Sequence, residues 1–307
     1  MSAMNSLVLG ALLLSLAVLS PARAARPEDR WRVVETATGK TVRWRDLAGR
    51  LAKRDAVFVG EQHDDPQTHR VEAALLEALH AAVGPRLTLA MEMFERDNQA
   101  ALDDYLAGRT DESGFAKAAR LWKNYPTDYR PLIEYARAQK IPTLASNAPQ
   151  AIVRRVGREG LVALSTLAAP EKSWAAAYVV APDNDAYAQR FAAVMGGDGG
   201  AHGGAMDAAQ VRRIYEAQCL RDDTMGETVA NALAAGRFVV HINGSFHSDA
   251  GLGTAARVRW RRPLTTQLAI VKVVPVAGDV RGADIALLRA EADYLIFVPD
   301  ERPTPAR

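Results

Sequence analysis

A chain of 307 residues that is 49% hydrophobic and 24% charged, with a net charge of +2, is neither a disordered polymer nor a nucleic-acid binder. Its one cysteine, Cys219, excludes an internal disulfide, so stability has to come from a packed core, for which the length is ample. Taken in chain order, the first expectation is an export signal. Leu7–Leu19 is an apolar run shorter than the roughly 20 residues of a membrane span, and Ala22-Arg23-Ala24 suits a signal peptidase. The segment before the run carries no Lys or Arg. Cleavage after Ala24 places residues 25–307 in a bacterial periplasm as a single domain.

Six short apolar runs then read as buried strands: Ala56–Val59, Leu87–Met91, Pro142–Ala145, Phe238–Ile242, Gln267–Val274 and Tyr294–Val298. Most are continuous rather than alternating, as in parallel strands covered on both faces. Helical periodicity fills the intervals. Thr68–His80 sets Val71, Ala74, Leu75, Ala78 and Leu79 on one face, and Pro131–Gln139, Ala148–Arg155 and Ala208–Leu233 follow the same period. Alternation of strand and helix predicts an α/β fold: a mostly parallel central sheet flanked by helices. Residues 93–135 and 157–235 read as helical insertions. The glycine-rich stretch 196–204, which contains His202, reads as a loop, and the Pro-rich tail 300–307 as a frayed end.

In such sheets, sites form beyond the carboxyl ends of the strands. Four runs deliver polar groups there. The first is followed by Gly60-Glu61-Gln62-His63-Asp64-Asp65, the second by Glu92 and Glu95, the third by Ser146-Asn147, and the fourth by Asn243-Gly244-Ser245-Phe246-His247-Ser248-Asp249. The first and fourth share the pattern Gly-x-x-His-x-Asp. Glycine lets the chain turn off the strand, the histidine points back over the sheet edge, and the aspartate fixes the imidazole tautomer or caps the next helix. His63, His247 and Glu92 suit a divalent metal, or acid–base work without one. No HExxH and no Cys–His cluster accompanies them.

On the helix Val211–Ala230, Gln218 and Asp222 share a face, and Arg221 can act as an anion clamp. Cys219 reads as core rather than as a nucleophile. Trp122, Tyr125, Tyr129 and Tyr135 cluster around Pro126 and Pro131. They form either a core patch, the favoured reading on residues alone, or a flat wall for a planar ligand.

These residues resemble a known family. Val59-Gly60-Glu61-Gln62-His63-Asp64-Asp65, Met91-Glu92-Met93-Phe94, Trp122-Lys123-Asn124-Tyr125, Gln218-Cys219-Leu220-Arg221-Asp222 and Ile242-Asn243-Gly244-Ser245-Phe246-His247-Ser248-Asp249 are similar to the ChaN family of bacterial haem-binding, iron-regulated envelope proteins. The resemblance spans roughly Val57 to Val258. The family belongs to a superfamily with Tiki proteases, TraB proteins and erythromycin esterases, whose members share two GxxH motifs, a glutamate and an arginine. The resemblance implies that His63, Glu92, His247 and Arg221 are the counterparts here, at positions that carry acid–base or metal chemistry in hydrolytic relatives. In the ChaN branch it implies haem held between two subunits, hence a homodimer, with a tyrosine on the iron. Tyr125, in the Trp-x-x-Tyr string, is the candidate ligand, alongside His63 and His247. Many envelope members are lipoproteins, whereas the signal region here has no cysteine for lipidation, which favours a soluble periplasmic carrier.

Two functions stay open at this stage beside a bare scaffold with a vestigial site. One is haem binding or trafficking with other envelope iron-uptake components. The other is hydrolysis, metal-dependent or not, at the paired histidines and Glu92.

Overall fold

Strands that are apolar at every position must be covered on both faces, and two layers of helix supply the cover. The computed structural model describes residues 27–196, 207–263 and 266–302. The expected export signal, the loop around His202 and the last five residues of the tail lie outside them. The strands are β1 (Arg32–Glu35), β2 (Lys40–Val42), β3 (Ala56–Glu61), β4 (Leu87–Glu95), β5 (Thr143–Asn147), β6 (Phe238–Gly244), β7 (Leu268–Val276) and β8 (Tyr294–Pro299). They form one sheet in the order β2-β1-β8-β7-β3-β6-β4-β5. β3 to β8 are parallel to one another, as expected. The β1–β2 hairpin, which the apolar runs do not announce, adds an antiparallel edge to β8.

Alternation along the strands splits the interior in two. Val57, Leu89, Val240 and Ala269 stand in register and face the helices Trp44–Leu51 and Pro66–Val83, which bury Leu47, Leu51, Val71, Leu75 and Leu79. Ala56, Phe58, Ala90, Val239 and Ile270 face the opposite layer, where the helices Ala208–Ala234 and Gly253–Arg261 bury Val229, Leu233, Ala255 and Val258.

Chain order reverses around β3: β4 lies two places to one side of it, with β6 between them, and β7 on the other. Such a reversal parts the connecting helices and leaves a crevice at the strand ends. Among the described residues, the far-edge strand β5 pairs only with β4. There the side-chain amide of Gln99 stands in for a missing strand. It donates to the Thr143 carbonyl (3.0 Å) and accepts from the Ala145 amide (2.7 Å).

Candidate functional site

The two glycine turns leave adjacent strands. Gly60 pairs with Asn243 and Glu61 with Gly244, so the motifs lie side by side one residue out of step. Each glycine makes room for the other turn. A Cβ on Gly60 would stand 3.0 Å from the Ser245 Cα, and one on Gly244 would stand 2.7 Å from His63 Nε2 and 3.6 Å from Glu92 Oε2. The expected meeting of both motifs with Glu92 is therefore present, and it depends on the missing side chains.

In the first motif, His63 Nδ1 hydrogen-bonds to Glu61 Oε1, which also accepts from the Tyr129 hydroxyl at 2.9 Å. The His63 side chain is 43% exposed and lies edge-on to Trp122, with ring centroids 5.0 Å apart. Burial works against charge on His63, but the Glu61 carboxylate outweighs it and raises its pKa. Burial and the Glu61 charge push the Tyr129 phenol far up, so that it remains a donor. The aspartate of this motif, Asp65, does cap the next helix, accepting from the Thr68 amide at 2.7 Å.

In the second motif, His247 is almost closed to solvent. Its Nδ1 meets Asp222 Oδ1 at 2.8 Å and its Nε2 lies 3.4 Å from Glu92 Oε1. Asp222 also accepts from the Tyr187 hydroxyl (2.6 Å) and from Thr254 (2.8 Å). Glu92 Oε2 accepts from the Gly244 amide at 2.7 Å. Burial opposes an imidazolium here, yet the carboxylates of Glu92 and Asp222 overcome it and raise His247 to about 10. Burial likewise opposes the Glu92 carboxylate, and His247, His63 and the Gly244 amide hold it well below its ordinary range. The aspartate of this motif, Asp249, neither caps nor orients; it accepts from Lys272 and Arg190.

The sign of the His247 shift fixes a pH dependence. A raised folded-state pKa contributes stability that is complete below the ordinary value near 6.5 and is lost as pH climbs through about 10. Urea unfolding at pH 7 and pH 10 should show the wild type losing on the order of a few kcal/mol more than His247→Gln over that interval. Equal losses in the two proteins would mean that His247 is neutral in the fold.

Several expected site residues are placed differently. His247 is buried between two carboxylates, with Asp222 at Nδ1 and Glu92 near Nε2. Among the described residues, the group whose ligand atoms gather within 4.8 Å of one another is Glu61, His69 and Glu72, not His63, Glu92 and His247. Tyr125 is in the core: the π-helical turn Tyr125–Tyr129 turns its ring inward against Phe94 and Phe115, and its buried hydroxyl has no partner. The expected ligand Tyr125 is thus packed in the core rather than presented at the strand edge. Arg221 does stand behind the site, hydrogen-bonded to Gln150; burial disfavours its charge, and Glu92, Glu95 and Asp222 support it. Cys219 is buried, as expected, with its thiol pushed up to about 12 by that burial.

The residues that sequence reasoning missed are His69 and Glu72. They stand three apart on the helix Pro66–Val83, directly after the first motif, a spacing that puts both on one face. Burial raises Glu61 well above the carboxylate range and Glu72 to about 8.

A second feature lies away from this edge. A cleft of about 650 Å³ opens beside β5, between Leu144, Trp174 and Ala232, with Arg96 and Arg237 in its wall. The volume is that of a small-molecule pocket, but the paired histidines do not reach it.

A family model described as haem-binding uptake, Tiki superfamily, ChaN matches residues 47–258, which include both glycine–histidine turns, Glu92 and Arg221. The chain belongs to this family. Among solved structures, ChaN of Campylobacter jejuni, described with cofacial haem binding, is similar over 87% of this chain and 96% of its own, with a TM-score of 0.64 and 16% identity. An erythromycin esterase in an open conformation (TM-score 0.48, 10% identity, 80% of this chain and 77% of its own) is more distant. So is a Bacillus cereus protein (TM-score 0.47, 12% identity, 84% and 92%). No curated protein matches the sequence. The first likeness carries the fold of ChaN proteins to this chain, with the paired turns at the carboxyl edge of its sheet.

Proposed function

We propose that this protein binds ferric haem in the cell envelope, as a periplasmic carrier in haem uptake or trafficking. The observation that carries the reading is the family match across residues 47–258. The same family match favours haem over the hydrolytic alternative.

For haem, the cleft beside β5 fits better than the glycine–histidine edge. Its volume and its apolar wall, which includes the flat Trp174, suit a planar macrocycle, and Arg237, whose bonds to Thr88 and Leu87 take only Nε and Nη2, is a donor for a carboxylate group. A phenolate is a hard donor for ferric iron. Of the eight tyrosines, Tyr178 alone is exposed, at 73%. It follows Ala177, whose amide donates to Glu227 (3.0 Å), the carboxylate that also accepts from Arg96 (2.9 Å) of the cleft wall. We therefore assign the iron ligand to Tyr178. A haem ligated from one side at an open surface leaves its other face for a second copy of the chain.

Hemin titration followed by absorbance tests this. The wild type should show a saturable, shifted Soret band. Tyr178→Phe should lose the phenolate-to-iron charge-transfer bands, and Ala235→Trp, which fills the cleft from its exposed rim, should weaken binding. His63→Ala should bind as the wild type does. Loss in His63→Ala alone would move the haem to the glycine–histidine edge, and no saturable band in the wild type would refute haem binding.

A further inference from the structure

Beneath His63 and Trp122 lies a group of side chains that haem binding does not use. Glu61, His69 and Glu72 are 2%, 5% and 0% exposed. His69 Nδ1 stands 3.0 Å from Glu72 Oε2 and 3.6 Å from Glu61 Oε2. Its other nitrogen, Nε2, faces two acceptors, the His63 carbonyl at 3.3 Å and Asp128 Oδ2 at 3.5 Å. Asp128 is itself held by the Asn124 amide at 2.8 Å.

The partners do not balance. Glu61 Oε1 is satisfied twice over, by His63 and Tyr129, while Glu61 Oε2 and Glu72 Oε1 are buried with no hydrogen-bond partner. Among the described residues, the only basic groups within ion-pair distance of Glu61 and Glu72 are His63 and His69. A doubly protonated His69 would satisfy both its nitrogens and still leave those two oxygens bare. Burying these oxygens bare is costly; a proton shared between the neighbouring Glu61 and Glu72 carboxyls is one way to remove the cost, and a cation bound among them is the other.

We propose that Glu61, His69 and Glu72 bind one divalent transition-metal ion of the zinc class, distinct from the haem site and from the His63–Glu92–His247 edge. His69 coordinates through Nδ1. Its Nε2–H is kept for the His63 carbonyl and Asp128, the outer partners that fix the tautomer of a ligating imidazole. One imidazole and two carboxylates, with a water as fourth ligand, make an ordinary zinc donor set. The ligand atoms, all within 4.8 Å of one another, need only small side-chain adjustments to meet one ion. Because Glu61 also orients His63, the ion ties the first turn to the helix that follows it. The inference stands on this cluster and not on the haem reading.

The full-length protein, stripped of metal by chelator, is titrated with Co²⁺ and then Zn²⁺. Visible d–d bands saturating near one Co²⁺ per chain are expected, bleached by Zn²⁺, with a metal-dependent rise in the thermal unfolding midpoint. Glu72→Gln keeps the shape of the side chain, and His69→Ala removes the nitrogen. Each should weaken Co²⁺ by more than the roughly 10–100-fold that loss of an outer partner costs. Glu92→Gln should leave the titration unchanged. Far-UV circular dichroism establishes that each variant is folded. The proposal is overturned if the wild type gives neither d–d bands nor a Zn²⁺-dependent midpoint shift. It is equally overturned if Glu92→Gln loses the metal while Glu72→Gln keeps it. A metal-independent wild type that gains stability on Glu72→Gln would show a cluster held by protons alone. Hemin binding is read separately and is expected to survive Glu72→Gln.

Discussion

Asp222→Ala should lower the unfolding free energy by roughly 3–5 kcal/mol, the cost of removing one partner from a buried charge pair. Asp222 is wholly buried and serves three donors at once: His247 Nδ1, the Tyr187 hydroxyl and Thr254 Oγ1. Truncation leaves all three without their acceptor and leaves the His247 imidazolium facing Glu92 alone. Asp222→Asn keeps the shape but gives up the negative charge and one acceptor, so it should fall between wild type and alanine. Urea unfolding at neutral pH measures both. A change below about 1 kcal/mol in Asp222→Ala would mean that His247 carries no charge in the fold.

Gly253→Ala should cost about 2–5 kcal/mol, for two separable reasons. Gly253 opens the helix Gly253–Arg261 with φ at +51°, a left-handed conformation that charges an L-residue about 1–2 kcal/mol. Its Cβ would also stand 2.5 Å from the His247 carbonyl oxygen and 3.0 Å from Asp222 Oδ1. The first of these is backbone and cannot rotate away, and overpacking of that kind costs about 1–3 kcal/mol. The substitution therefore reaches the site as well as the fold, and the alkaline stability loss assigned to His247 should shrink with it. If Gly253→Ala is as stable as wild type, the turn after His247 relaxes freely.

The parallel strands were legible because each is a continuous apolar run that only a two-faced cover explains; Ala56–Val59 and Phe238–Ile242 fall inside β3 and β6. The β1–β2 hairpin was not. Arg32–Glu35 has two apolar residues and Lys40–Val42 one, too few for a pattern, and pairing with β8 rather than intrinsic preference makes them strands. The meeting of the two glycine–histidine turns could be read from strand ends alone. Their division of labour could not. Sequence does not say that His247 takes its second carboxylate from Asp222, twenty-five residues back on another element, whereas His63 takes its own from Glu61 two residues before. Nor could the Trp122–Tyr135 cluster be resolved by composition. The π-helical turn buries Tyr125 and Tyr129, while Trp122 and Tyr135 stay half-buried.

Gln99 has a bearing on how copies of this chain can meet. Its amide fills the hydrogen-bonding positions of Thr143 and Ala145 that a ninth strand would use. An edge stoppered in this way resists extension of the sheet from one molecule to the next. Two copies that approach beside the cleft must then join through side chains and whatever lies between them, and such an association can be undone when that material leaves.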